Sequence, residues 1–478
     1  MPSTITFIKN INRKFVSSYR PIEVWARLNE PDVAYLRGEL YIEEVYGSNN
    51  YVSTGALING YEQSSLAGGM PGLYSFNLME FVRHYVGKAN CIPISLNAWS
   101  LPGYFETNRF YLKIWAVRYT SNLGITYDDY STQVNSNIFI ATPANLSNDI
   151  STDVFNDNIH LDRYVLGNNG SAPAPGTVLP LTKMPNMPNY VKENGFMIDM
   201  EDFPCDSLYT YWNKNKDNEL LHLIVIRYND GVNYSGADII KLGDQFSRKE
   251  RIPVHPIALS SFITMVTGSA YYNIVNISGN LICKKVEIGV VSGNSPTGFF
   301  PTNWWSTTNF KTGVKKAIYR TITYSDVGAQ DGCEGGGKQR TKFIFQNSLG
   351  GFDWFSCYGT REESVTIKDE RYDKQRYLMM REHHTSTKLI TTRQDNIKVF
   401  SQPLGKERAM FLAELYASPK VWVQQKMQHS ENSGTWGEYR LTPINIVAGS
   451  WDLYSTENNL YFLEFEYNYS EQKTQPRG

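Results

Sequence analysis

The residues of this chain best able to do chemistry are seven histidines, five cysteines and a few adjacent carboxylates. His383 and His384 are neighbours, so on a strand they point to opposite faces and cannot share a metal. No third ligand stands at the spacing a structural site requires, and no metal is expected. The cysteines fall at 91, 205, 283, 333 and 357, with no C-x-x-C pair. Their odd number forbids complete internal pairing and suits reduced thiols in a cytosol. No local signature marks a Cys–His nucleophile. Gly332, Gly337 and Lys338 keep the spacing of a P-loop, but position 339 is Gln where that motif needs a hydroxyl for Mg²⁺. A strand, not a helix, is expected from Lys342 to Phe345. The pairs Glu43-Glu44, Asp128-Asp129 and Glu362-Glu363 lack the 5–10 Å separation of glycosidase carboxylates and read as solvated edges or turns. The expectation is a protein without catalytic residues or cofactors.

The elements around these residues are mostly strands. Leu36, Gly38, Leu40 and Ile42 alternate with Arg37, Glu39, Tyr41 and Glu43, the period of a strand with one buried face. Phe110, Leu112, Ile114 and Ala116 make one face of a second strand. Tyr111, Trp115, Val117 and Tyr119 make the other, so both sides should be covered. A third strand is expected from Asn137 to Thr142. Leu78, Phe81, Val82 and Tyr85 keep helical spacing, with Asn77 to cap and Gly87 to stop. Further strands are read at 220–226, 281–291, 317–324, 386–400, 421–423 and towards Tyr467. A second helix is expected over 406–417, with Leu404, Phe411, Leu412 and Leu415 apolar and Pro419 ending it.

The fold class expected is mainly β, with two to three β-sandwich or β-barrel-like domains and one short helix in the first and in the last. The domains are an N-terminal one at 1–145, an all-β one at 201–330 and a C-terminal one at 331–478. Residues 146–200 are rich in Pro, Gly and Asn and read as a linker, or as an arm ordered by a neighbouring subunit. Phe343, Phe345, Trp354 and Phe355 flank a hairpin whose tip is shaped by Asn347, Gly350, Gly351 and Asp353, the glycines supplying positive φ. Trp304 and Trp305 would stack on a sugar or anchor an interface, and the interface reading is favoured.

Composition narrows the function classes. Lys plus Arg number 46 and Asp plus Glu 47, which gives a net charge of −1 and argues against a free nucleic-acid binder. Aromatic residues make up 14% of the chain, a supply that suits strands and contact surfaces. No run of about 18 apolar residues exists, so no membrane insertion is expected.

One segment carries a family resemblance. Phe343-Ile-Phe-Gln-Asn-Ser-Leu-Gly-Gly-Phe-Asp-Trp-Phe355 resembles structural proteins of phages and prophages of Bacteroidetes, including the crAss-like phages. The strand leading to Tyr74-Ser-Phe-Asn-Leu78, the 404–423 stretch and Leu460-Tyr-Phe-Leu-Glu-Phe-Glu466 resemble the same group in the same order. The resemblance implies a virion component of the tail or neck, assembled in the host cytoplasm. Its expected partners are copies of itself in a ring, neighbouring tail or portal-proximal proteins, and genomic DNA passing without sequence-specific binding. The alternative is a glycan-binding fibre, baseplate or adhesin module.

Overall fold

A computed structural model of the chain describes residues 4–45, 47–63, 72–86, 107–120, 124–145, 159–166, 178–184, 189–191, 207–213, 220–228, 234–243, 247–253, 285–293, 317–325, 341–357, 360–373, 386–401, 404–426, 439–447, 464–470 and 473–476. The fold is mainly β, with several sheets and short helices, as expected. Two compact units are present. One comprises Met1–Thr182, Pro204–Thr323 and Ser348–Gly351; the other comprises Lys183–Phe203, Tyr324–Asn347 and Phe352–Gly478. The first boundary thus falls inside the segment read as a linker or arm.

In the first unit, the strand Asn108–Tyr119 is hydrogen-bonded along both edges. Val33–Glu43 runs antiparallel on one side, and Phe139–Thr142 and Thr126–Asn135 share the other. Tyr51–Asn59 extends the sheet beyond Val33–Glu43, and Phe15–Ser17 joins parallel to Phe139–Thr142. A second sheet is built from Thr6–Lys9, Glu23–Arg27, Leu73–Asn77 and Tyr61–Glu62. Inward residues of both sheets share one core: Leu36, Leu40, Phe110 and Leu112 from the first, Val24, Ala26 and Phe76 from the second. This is sheet-on-sheet packing, in which each inner face removes the other from water.

The helix Met79–Tyr85 closes that core with Leu78 and Val82, both fully buried. Asn77 accepts the Met79 N–H at 3.1 Å, so its side chain caps the helix from one position further out than the helix boundary. The expected alternation of Val33–Glu43 holds over 36–40 and then shifts, since Ile42 is half-buried and Glu43 buried. Asn108–Tyr119 is covered on both faces at 114–117, while Tyr111 and Lys113 stay half-buried.

The same unit holds two more sheets. Val165–Leu166, Ser207–Trp212 and Arg248–Pro253 form one, with Tyr209, Tyr211 and Trp212 buried. Tyr234–Gly243, Leu220–Tyr228, Lys285–Gly293 and Ala317–Ser325 lie side by side and antiparallel in the other. Within the expected 146–200 arm, a 3-10 turn at Ile159–Tyr164 is folded into this unit. Leu161 and Leu166 are fully buried, and Asp162 is ion-paired with Arg13.

The described strands from Thr341 onward form one antiparallel sheet in the second unit. Its strands follow in the order Phe352–Cys357, Thr341–Gln346, Val421–Lys426, Tyr439–Ile446, Glu464–Tyr469, Ser386–Phe400 and Arg361–Asp373, and Lys473–Pro476 pairs the first half of Ser386–Phe400. The expected second helix is present in two pieces, Lys406–Phe411 and Ala413–Ala417, which bury Phe411, Leu412 and Leu415.

The central strand sets the first prediction. Leu112 is fully buried between the two sheets. Leu112→Ala should cost about 2–5 kcal/mol, as large-to-small core changes do. Urea unfolding followed by tryptophan fluorescence checks this.

Candidate functional site

The hairpin read from the sequence is present. Thr341–Gln346 and Phe352–Cys357 pair from Thr341↔Cys357 to Gln346↔Phe352, which leaves residues 347–351 as the loop. Asn347 and Asp353 are both buried, and the Asn347 amide donates to the Asp353 carboxylate at 2.8 Å. That bond closes the loop across its own mouth. Phe343 meets Phe465 at 4.9 Å and Tyr467 at 5.5 Å, both edge-on. Phe345 packs on Phe411, and Trp354 and Phe355 are buried as well. These aromatics are therefore core, and the sheet closes around them.

The tip Ser348–Gly351 belongs to the first unit. There the Asn145 N–H donates to the Ser348 carbonyl at 2.6 Å, and the Tyr211 hydroxyl donates to the Leu349 carbonyl at 3.1 Å. Positive φ falls at Gly350 (φ +80°) and not at Gly351, which corrects the expectation that both glycines supply it. A Cβ at Gly350 would sit 2.6 Å from the Tyr211 hydroxyl.

The carboxylate pairs differ from one another. Glu43 is not at a solvated edge. It is buried, pairs with Arg109 at 3.2 Å and accepts the Asn49 N–H at 2.8 Å. Asp128 accepts Arg37 through both oxygens, at 3.0 and 3.1 Å, and the Trp115 indole at 2.8 Å. Asp129 accepts the Ser131 hydroxyl at 2.6 Å and Arg118 at 2.7 Å, and these two donors hold it below the usual carboxylate range. Arg118 also binds Glu30 and Asp32. Each of these carboxylates is paired with a cation. Glu363 pairs with Arg361 at 2.6 Å on an exposed strand. Cys357 is buried, and desolvation pushes its thiol up, the opposite of an activated nucleophile.

Together these pairings build a surface that the sequence reading passed over. On the outer face of the central sheet, Tyr35, Arg37, Glu39 and Tyr41 stand opposite Val117, Trp115, Lys113 and Tyr111. The Tyr41 and Tyr111 rings stack at 5.0 Å, and Tyr51 meets Tyr111 edge-on at 5.1 Å. Lys113 lies over Tyr41 at 4.3 Å and donates to its hydroxyl at 3.2 Å. Trp115 is covered by Tyr130, itself 57% exposed. Burial, and then the Glu43 charge, push the Tyr51 hydroxyl up. The result is an aromatic plate whose charges are matched row by row. The signal for it was in the sequence: every second residue from Tyr35 to Glu43 is aromatic or charged.

Trp304, Trp305, His383, His384 and the Gly332 to Lys338 stretch lie outside the described residues, as do Cys91, Cys205, Cys283 and Cys333. Among the described residues, no group of three or more His, Cys, Asp or Glu could hold a metal ion, and no helix is long and apolar enough to cross a membrane. No protein-family model matches the chain, and no curated protein matches it at significance.

Two glycines in the left-handed region separate strain from space. Gly55 (φ +73°) has nothing near an added Cβ, whereas Gly350 has the Tyr211 hydroxyl. Gly55→Ala should cost about 1 kcal/mol, and Gly350→Ala about 2–3 kcal/mol or more, because the clash adds to the backbone strain. Paired thermal melts of the two variants read this difference.

Proposed function

We propose that the chain is a virion structural protein, a homo-oligomeric ring or adaptor subunit of a phage tail or neck that lines the DNA conduit. It acts by assembly and carries no catalytic residue. The observation that carries this reading is the aromatic plate on the first unit. Tyr and Trp rings give contact area at low rotamer cost, and they are enriched where proteins meet proteins. Here the surrounding charges are already neutralised, through Arg37 with Asp128 and Arg109 with Glu43. Such a face has little net field to hold phosphates, and the net charge of −1 agrees. It can still meet a matching face of another copy without leaving charges unpaired in the contact.

The family resemblance of the 343–355 hairpin supports the tail or neck assignment. The hairpin itself supplies framework, since its aromatics are buried. A ring needs a heterologous contact whose rotation closes, so the plate should meet a different patch on the next copy. The partners on this reading are further copies, neighbouring tail or portal-proximal proteins, and DNA in transit through the virion tail. Glycan binding is the competing reading, because half-buried tyrosine rings also suit a sugar face.

Native mass spectrometry with negative-stain imaging of the untagged protein tests the proposal. The expected result is a closed ring of fixed copy number with a central hole, unaffected by added glycans. A monomer at all concentrations that binds host-surface glycans would replace this reading with the adhesin.

A further inference from the structure

The strand Arg361–Asp373 closes one side of the sheet in the second unit. Along its whole length it pairs with Ser386–Phe400, and no described strand follows it. Residues 362–368 are exposed at every position, so side chains on both faces of the strand meet water. Val365 is 49% exposed and Ile367 60%. An edge with no described neighbour presents a row of N–H and C=O groups to any strand that can match it. Charged residues commonly blunt such edges, because like charges meet when the edge approaches a copy of itself. In this strand the charges are arranged the other way.

Antiparallel self-pairing centred on Val365 brings unlike charges together. Val365 then faces itself, Ser364 faces Thr366, Glu362 faces Lys368, and Arg361 faces Asp369. Every facing pair except Val365 with itself occurs twice by symmetry, and no like charges meet among them. Neighbouring registers lose this. The next registers lie two residues away, because only every second residue of an edge strand turns its N–H and C=O outward: centring on Ser364 sets Arg361 opposite Ile367 and Glu362 opposite Thr366, and centring on Thr366 sets Glu362 opposite Glu370 and Glu363 opposite Asp369. Directly opposed unlike charges stabilise a strand pair and like charges destabilise it, so the pattern selects one register. A strand that met an unrelated partner would have no reason to be complementary to itself.

We propose that Arg361–Asp373 is a two-fold contact that pairs edge to edge with the same strand of a second copy of this chain. Main-chain hydrogen bonds hold the contact, and the flanking charges fix its register. The contact is isologous, so it closes after two copies and cannot propagate. It is separate from the ring-forming contact proposed for the aromatic plate. If copies form rings, it joins two rings back to back; if they do not, it makes a dimer.

The test uses the full chain and sedimentation equilibrium. Glu362→Lys sets Lys against Lys at both ends of the contact, and Lys368→Glu sets Glu against Glu. Each single variant should have half the mass of the wild-type particle. The double variant Glu362→Lys/Lys368→Glu should regain the full mass, and so should an equimolar mixture of the two single variants. Within its own hairpin Glu362 lies opposite Lys398, so Glu362→Lys also disturbs the folded chain locally. The double variant keeps that local change, so its recovery reports on the contact alone. Wild-type mass in both single variants would overturn the proposal, as would a double variant that stays at half mass. Either result leaves the ring reading to its own test.

Discussion

Asn108–Tyr119 must satisfy two opposite environments at once, and the first unit is organised around that constraint. One face carries Phe110, Leu112 and Ile114 into the core between the two sheets. The other carries Arg109, Tyr111, Lys113 and Trp115 outward among charges and rings. Both edges are hydrogen-bonded, so the strand cannot slip without breaking two ladders. A slip of one residue would exchange core and plate, placing Lys113 inside and Leu112 outside. Register, core and surface are thus one decision.

This explains why the charges of the outer face are paired. A carboxylate near a strand cation finds its partner on the sheet: Glu43 and Asp129 meet Arg109 and Arg118 of the adjacent strand, and Asp128 reaches Arg37 across the intervening strand. Breaking one of the more buried pairs would strand a charge away from water, which costs far more than an exposed bridge contributes. The aromatic rings fill the spaces between these rows. What remains is a surface with area but little charge to offer, the profile of a contact face.

The apolar strands were legible in the sequence because their alternation is simple. Leu36 and Leu40, and Phe110 with Leu112, point inward as their spacing requires. The helix at Met79–Tyr85 was legible for the same reason. Tyr51–Asn59, Thr126–Asn135 and Arg361–Asp373 were not, because the first two are edge strands with little buried face and residues 362–368 of the third are all exposed. Without burial there is no apolar period to read. Glu43 reads as a solvated residue in the sequence because its partner Arg109 is 66 positions away. The hairpin loop was visible from Gly350 and Gly351, yet of the two only Gly350 takes positive φ, beside the Leu349 carbonyl that accepts the Tyr211 hydroxyl. Local sequence carries turn chemistry; it does not carry the hydrogen bonds that residues distant in sequence make to the turn.

The central claim is that the matched aromatic plate is where copies meet. Hydroxyl-radical footprinting across a dilution series addresses it directly, since tyrosine reactivity follows exposure. Tyr130 and Tyr41 should be reactive in dilute, dissociated protein and become protected together as the oligomer forms. Equal reactivity of both tyrosines in the assembled and dissociated protein would contradict the claim.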